Sequence, residues 1–169
     1  RYQAGFNMAV AALGTSLTIG HANLLKRYVK KVILTFDSDE AGVKAALRAI
    51  PIFLEAGLSV KVLDMKPYKD PDEFIKNLGK EEYQKRIDEA ENYFIFKAKQ
   101  IRKNFDLNTP DGKTDFYNEL ANELSQFSEE LERNNYIEAV SREFSIDRKQ
   151  LSNLVTKMLY KPKKANTFE

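Results

Sequence analysis

Apolar positions in the first half of the chain change rhythm repeatedly. Met8-Ala9-Val10-Ala11-Ala12-Leu13 is a short apolar run broken by Gly14-Thr15, and it reads as a strand. A helix is predicted from a cap near Thr18, with Ala22, Leu24, Leu25 and Tyr28 for its inner face. Val32-Ile33-Leu34-Thr35-Phe36 is β-branched and almost wholly apolar, the pattern of a strand covered on both faces in a parallel sheet. Past Asp39, the residues Val43, Ala46, Leu47, Ile50, Phe53 and Leu54 recur on a period of about 3.6. They predict a second helix, kinked or interrupted at Pro51 and closed by Gly57. Val60, Val62 and Leu63 form a third strand. This order, with short connections, predicts right-handed crossovers and a parallel sheet. The ligand crevice of such a sheet lies beyond the carboxyl ends of its strands.

The second half has helical patterns only. Helices are expected over 81–104, 114–127, 129–144 and 147–160. The breaks contain Asn108-Thr109-Pro110-Asp111-Gly112, Ser128 and Ser145-Ile146-Asp147, with Asp147 reading as an N-cap. The predicted fold class is α/β plus all-α: a parallel-sheet unit over 1–90, a small helical bundle over 91–160 and a polar tail over 161–169.

Composition narrows the chemistry. A chain of 169 residues suits one domain or two small ones, and 43% apolar with 31% charged residues is ordinary for a globular protein. A net charge of +2 does not identify a nucleic-acid partner; local clustering would have to supply those contacts. The lack of cysteine excludes disulfides and thiolate zinc sites, and the single His21 excludes multi-histidine centres. No apolar run approaches the ~20 residues of a membrane span, and no signal-peptide pattern opens the chain. Arg1 at one end and Lys161-Pro162-Lys163-Lys164 at the other suggest a piece of a longer protein.

Asp37-Ser38-Asp39 follows the most strand-like run, and Asp70-Pro71-Asp72, with Glu73 beside it, follows the third strand. Residues two apart in extended backbone project to the same side, and both strand ends open on one edge of a parallel sheet. Two carboxylate pairs facing one crevice repel unless a cation neutralises them. Magnesium or manganese, which prefer oxygen ligands, are the natural occupants, and metal-assisted phosphoryl or nucleotidyl transfer is the chemistry they serve. The competing reading is capping, since Asp at a strand end caps the next helix and favours its dipole. For Asp39 and Asp72 taken singly, capping weighs at least as much as metal binding, whereas Asp37 directly ends a buried run. A haloacid-dehalogenase-type phosphatase also places two Asp at this spacing, but Glu40-Ala41-Gly42 leading straight into a helix disfavours it.

These residues carry a resemblance. Ala12-Leu13-Gly14-Thr15-Ser16-Leu17-Thr18 with His21-Ala22 and Leu24-Leu25-Lys26-Arg27, then Phe36-Asp37-Ser38-Asp39-Glu40-Ala41-Gly42, then Lys69-Asp70-Pro71-Asp72-Glu73-Phe74, resemble three successive motifs of bacterial replicative DNA primases. The likeness covers roughly residues 3–91; around Arg133-Asn134-Asn135-Tyr136-Ile137 it is looser. It implies a partial Toprim unit, Rossmann-like, within an enzyme that polymerises RNA primers on single-stranded DNA from ribonucleoside triphosphates. Asp37, Asp39 and Asp70 would be catalytic; they and Asp72 would lie at a Mg2+ or Mn2+ site. Gly14 and Thr15 would line its floor, and Lys44, Arg48 and Lys69 are candidates for phosphate contacts. Ser38 stands where the family usually has Gly, and Tyr68 where Gly is common. The family's first metal-binding Glu would lie upstream of Arg1. Its zinc domain and its helicase-binding domain are expected outside these residues, so the chain alone is expected to be inactive. The resemblance implies a cytoplasmic, nucleoid-associated protein with the replicative helicase as partner. Other Toprim enzymes (a topoisomerase or phage primase-helicase) and a non-catalytic interaction module are the alternatives.

Lys26, Arg27, Lys30 and Lys31 read as a solvated helix end more than a phosphate site. Tyr93, Phe94, Phe96 and Phe105 read as core contacts more than base-stacking platforms, and Glu138–Leu151 is a generic match to a helix-turn-helix.

Overall fold

The computed structural model describes residues 2–3, 7–13, 19–68 and 71–161. Gly14, Thr15, Lys69 and Asp70, with the expected cap at Thr18, lie outside the described residues. Two compact units divide the chain, Arg1–Phe96 and Lys97–Glu169.

In the first unit, strands β1 (Tyr2–Gln3), β2 (Met8–Ala12), β3 (Lys31–Phe36), β4 (Ser59–Asp64) and β5 (Glu91–Asn92) lie side by side in that order. The central three are parallel, as their apolar runs predict, with Val10 opposite Ile33 and Phe36 opposite Asp64. Both edges are antiparallel. Alternation along the strands sends successive side chains to opposite faces. Ala9, Val32, Leu34, Phe36, Val60 and Val62 pack with Ala46, Ala49, Ile50 and Phe53 of helix α2 (Glu40–Glu55) and Ala22 of helix α1 (Ile19–Lys26). Val10, Ile33 and Leu63 meet Phe74, Tyr83 and Ile87 of helix α3 (Pro71–Asp88) on the other face. The sheet is therefore covered on both sides.

Several expectations are corrected. α1 is short, and Leu24 and Tyr28 are exposed; Ala22 and Val29 are the buried residues there. α2 runs through Pro51 as one helix, because the buried residues on both sides of the proline hold it on the sheet. It ends as predicted at Gly57, whose φ of 88° closes a turn in which Gly57 N–H donates to the Leu54 carbonyl at 2.9 Å and Leu58 N–H to that of Phe53 at 3.1 Å. The helix expected over 81–104 is split. Its first part ends at Asp88, Glu91–Asn92 pairs with Val62 and Lys61 of β4, and helix α4 (Tyr93–Arg102) follows. A two-residue edge strand carries no period of its own, so nothing local announces it. Asn92 Oδ1 then accepts from Phe94 N–H at 2.8 Å, starting α4. Phe94 and Phe96 are buried, the latter edge-on to Phe36 at 5.1 Å, which is why the first unit extends past residue 90.

The second unit contains helices α5 (Pro110–Leu124), α6 (Glu130–Phe144) and α7 (Arg148–Leu159), which pack on one another. Phe116, Leu120, Leu124, Val140, Leu151 and Val155 are its buried side chains of largest consequence. α5 begins at Pro110 and not at Thr114: the Pro-Asp-Gly signal marks a first helical turn, capped by Thr109 Oγ1 accepting from Gly112 N–H at 3.0 Å. Asp147 caps α7 through Gln150 N–H at 2.9 Å, as expected.

Candidate functional site

The carboxyl ends of β3 and β4 are neighbours, since Phe36 is paired with Asp64. Asp37 leaves β3 exposed to solvent. Asp39, extended at φ −71° and ψ 168°, is the N-cap of α2; its Oδ1 accepts from Gly42 N–H at 2.6 Å. The capping role weighed for Asp39 is thus present, and it engages one carboxylate oxygen only. Gly42 is required by the same turn, because a Cβ there would collide with the Asp37 carbonyl oxygen.

Asp64 was missed by the sequence reading, which ended the strand at Leu63. It is half-buried, and its Oδ1 accepts from Lys66 N–H at 3.0 Å. The signal was present: Val-Lys-Val-Leu-Asp ends an apolar strand on an acid just as Thr-Phe-Asp does. Asp72 is exposed in the first turn of α3, where an acid favours the helix dipole.

Among the candidate phosphate ligands, Lys44 pairs with Glu40 at 3.0 Å on the exposed face of α2, and Arg48 is exposed one turn further on. Such a surface pair contributes about 0–1 kcal/mol, so Lys44 is readily given up to a competing anion. Lys26, Arg27, Lys30 and Lys31 are exposed and cluster where α1 leads into β3, at the opposite end of that strand from Asp37. His21 is exposed on α1.

The acids at the strand ends, Asp37, Asp39, Asp64 and Asp72, present only hard oxygen donors, which suits a divalent cation of the magnesium type. Among the described residues no three of His, Cys, Asp or Glu stand close enough to enclose an ion by themselves, and Asp70 is not among those residues. The donor chemistry fits; the enclosure would have to be completed by Asp70, water or substrate oxygens.

Residues 1–75 match the family described as Toprim-like, and residues 94–149 match the one described as the DnaB-helicase binding domain of primase. A DNA primase of Clostridium acetobutylicum is 32% identical over 155 residues, covering 92% of this chain and 26% of that protein. The chain belongs to the bacterial DNA primase family. It spans about a quarter of the length of the curated primases it matches. The fold agrees: a structure of the DnaG catalytic core superposes with a TM-score of 0.66 at 26% identity, covering 86% of this chain and 54% of that one. A DnaG primase catalytic domain bound to single-stranded DNA gives 0.64 at 30% identity, covering 82% and 45%.

The match over 94–149 corrects one expectation, that the helicase-binding domain lies outside these residues. The helical half carries no short acidic motif, and its apolar spacing is that of any amphipathic helix, so the sequence alone did not single it out. Among the described residues no helix is long and apolar enough to cross a membrane.

Proposed function

We propose that this chain supplies the acidic, metal-binding edge of an enzyme that joins ribonucleotides into short RNA primers on a single-stranded DNA template. The observation that carries this reading is the pairing of strand ends. Asp37 and Asp64 close neighbouring parallel strands, and Asp39 and Asp72 open the helices that follow, in a chain of the primase family.

In this reading Asp37 and Asp39 hold Mg2+ or Mn2+, with Asp70 and Asp72 at the same site. Such an ion, when bound, neutralises charge on the attacking and leaving oxygens of nucleotidyl transfer. Asp39 would hold the ion while its Oδ1 keeps the cap on Gly42 N–H, which fixes the orientation of the carboxylate. Gly14 and Thr15, outside the described residues, are assigned to the floor of the site by the family resemblance alone. Arg48 and Lys69 contact triphosphate or template phosphates, and Lys44 does so after releasing Glu40. The ssDNA-bound relative supports the template assignment. The helical segment over 94–149 contacts the replicative helicase, an assignment supported by its family match. The enzyme acts in the cytoplasm.

A second reading, an interaction module whose acids only cap helices, is favoured by the Asp39 cap itself. Titration with Mn2+, followed by paramagnetic broadening of the amide signals, separates the two. The expected result is saturable broadening centred on residues 37–42 and 64–72, with the apparent affinity weakened at least about tenfold in Asp37→Asn. No response to Mn2+ in the parent chain would sink the metal reading and leave the module.

A further inference from the structure

We propose that Arg86, in the last turn of α3, is a positioning residue that holds the turn leaving β4, residues 64–68, and the first turn of α3 so that Asp64 and Asp72 are presented together; the proposal rests on the metal-site reading above. Arg86 Nη1 donates to the backbone carbonyl of Asp64 at 3.1 Å and to that of Lys66 at 3.0 Å, reaching back 22 and 20 residues. Its guanidinium carbon lies 4.8 Å from the centroid of the Phe74 ring. Phe74 is 1% exposed and follows Asp72 by two positions; it packs edge-on against Tyr68 at 5.3 Å and tilted against Tyr83 at 6.0 Å. One planar cation therefore ties the chain leaving β4 to the helix start that carries Asp72.

The surrounding bonds reinforce this. Asp64 Oδ1 accepts from Lys66 N–H, and Tyr68 N–H donates to the Met65 carbonyl at 2.8 Å, with the Met65 side chain fully buried. The turn is closed on itself by its own short bonds and anchored from a distance by Arg86. A lysine at this position offers a point charge that can bond a carbonyl, but not a flat guanidinium that also lies against the ring. Among the described residues, the partners of Arg86 are the two carbonyls and the Phe74 ring. Residues of this kind do not touch the ion, yet groups that orient ligands typically change metal affinity by 10–100-fold.

The test is a Mn2+ titration of the full 169-residue chain, read from the free-ion electron paramagnetic resonance signal, with thermal melting of each variant alongside. Arg86→Met is expected to weaken Mn2+ binding by about tenfold, with Arg86→Lys intermediate. Ile87→Val, which trims the neighbouring core without touching the clamp, is expected to lower the melting temperature and leave the affinity unchanged. Unchanged affinity in Arg86→Met overturns the proposal, as does an equal loss in Ile87→Val, which would reduce Arg86 to a packing residue. If Arg86→Met does not fold, Arg86→Lys decides by the same criterion. Failure of the parent chain to bind Mn2+ is a different pattern, and removes the metal site together with this role for Arg86.

Discussion

At the residue scale, Asp39 carries two roles that substitution can separate. Its Oδ1 caps α2 through Gly42 N–H, and Asn caps a helix as well as Asp does. Asp39→Asn is therefore expected to keep the stability of the parent while weakening the Mn2+ response. Asp39→Ala is expected to lose the cap as well, costing about 1 kcal/mol in denaturant unfolding. Equal stabilities for the two variants would show that the cap contributes nothing, and an unchanged Mn2+ response in both would remove Asp39 from the site. The Asp-x-Asp spacing was legible because acids at the end of an apolar run stand out against it. Asp64 carries the same signal but stands alone, with no second acid two positions on, and it gains weight only when the register sets it beside Phe36. Gly42 belongs with Asp64: its need for a bare Cα comes from the Asp37 carbonyl folding back over it, a contact no spacing rule supplies.

At the element scale, the strands with buried faces were readable and the edges were not. β3 announces itself by five consecutive buried residues, and α2 by its helical period. β5 exists because Glu91 and Asn92 find the free edge of β4, which is a matter of proximity and not of propensity. α3 is two helical pieces joined at Gly79, where φ is 85° and ψ is 170°, a conformation adopted almost only by glycine. The second piece begins where the sequence predicts a helix, close to Glu81, and the first piece, carrying Asp72 and Phe74, lies upstream of that expected helix. Nothing lies within 4 Å of a Cβ built at Gly79, so the penalty there is purely of the backbone. Gly79→Ala is expected to destabilise by about 1–3 kcal/mol, measured by urea unfolding. A raised midpoint would mean that the two pieces run as one continuous helix in solution, where Ala is favoured over Gly.

At the scale of the whole molecule, the chain spans about a quarter of the length of its curated relatives. The 169 residues alone are expected to give no template-directed RNA on single-stranded DNA with ribonucleoside triphosphates and Mn2+, while still binding the ion. Primer-length products on a denaturing gel would refute that. What the order of residues determined by itself was the class of fold, the parallel pairing of its central strands and the location of the first acids. All three follow from local periodicity and from the fact that buried runs end where polar chemistry can begin. Tertiary structure alone decided the antiparallel edges, the pairing of Asp64 with the end of β3 and the reach of Arg86 across about twenty residues to two carbonyls. Those depend on which backbones come to lie side by side, and distance along a chain carries no record of that.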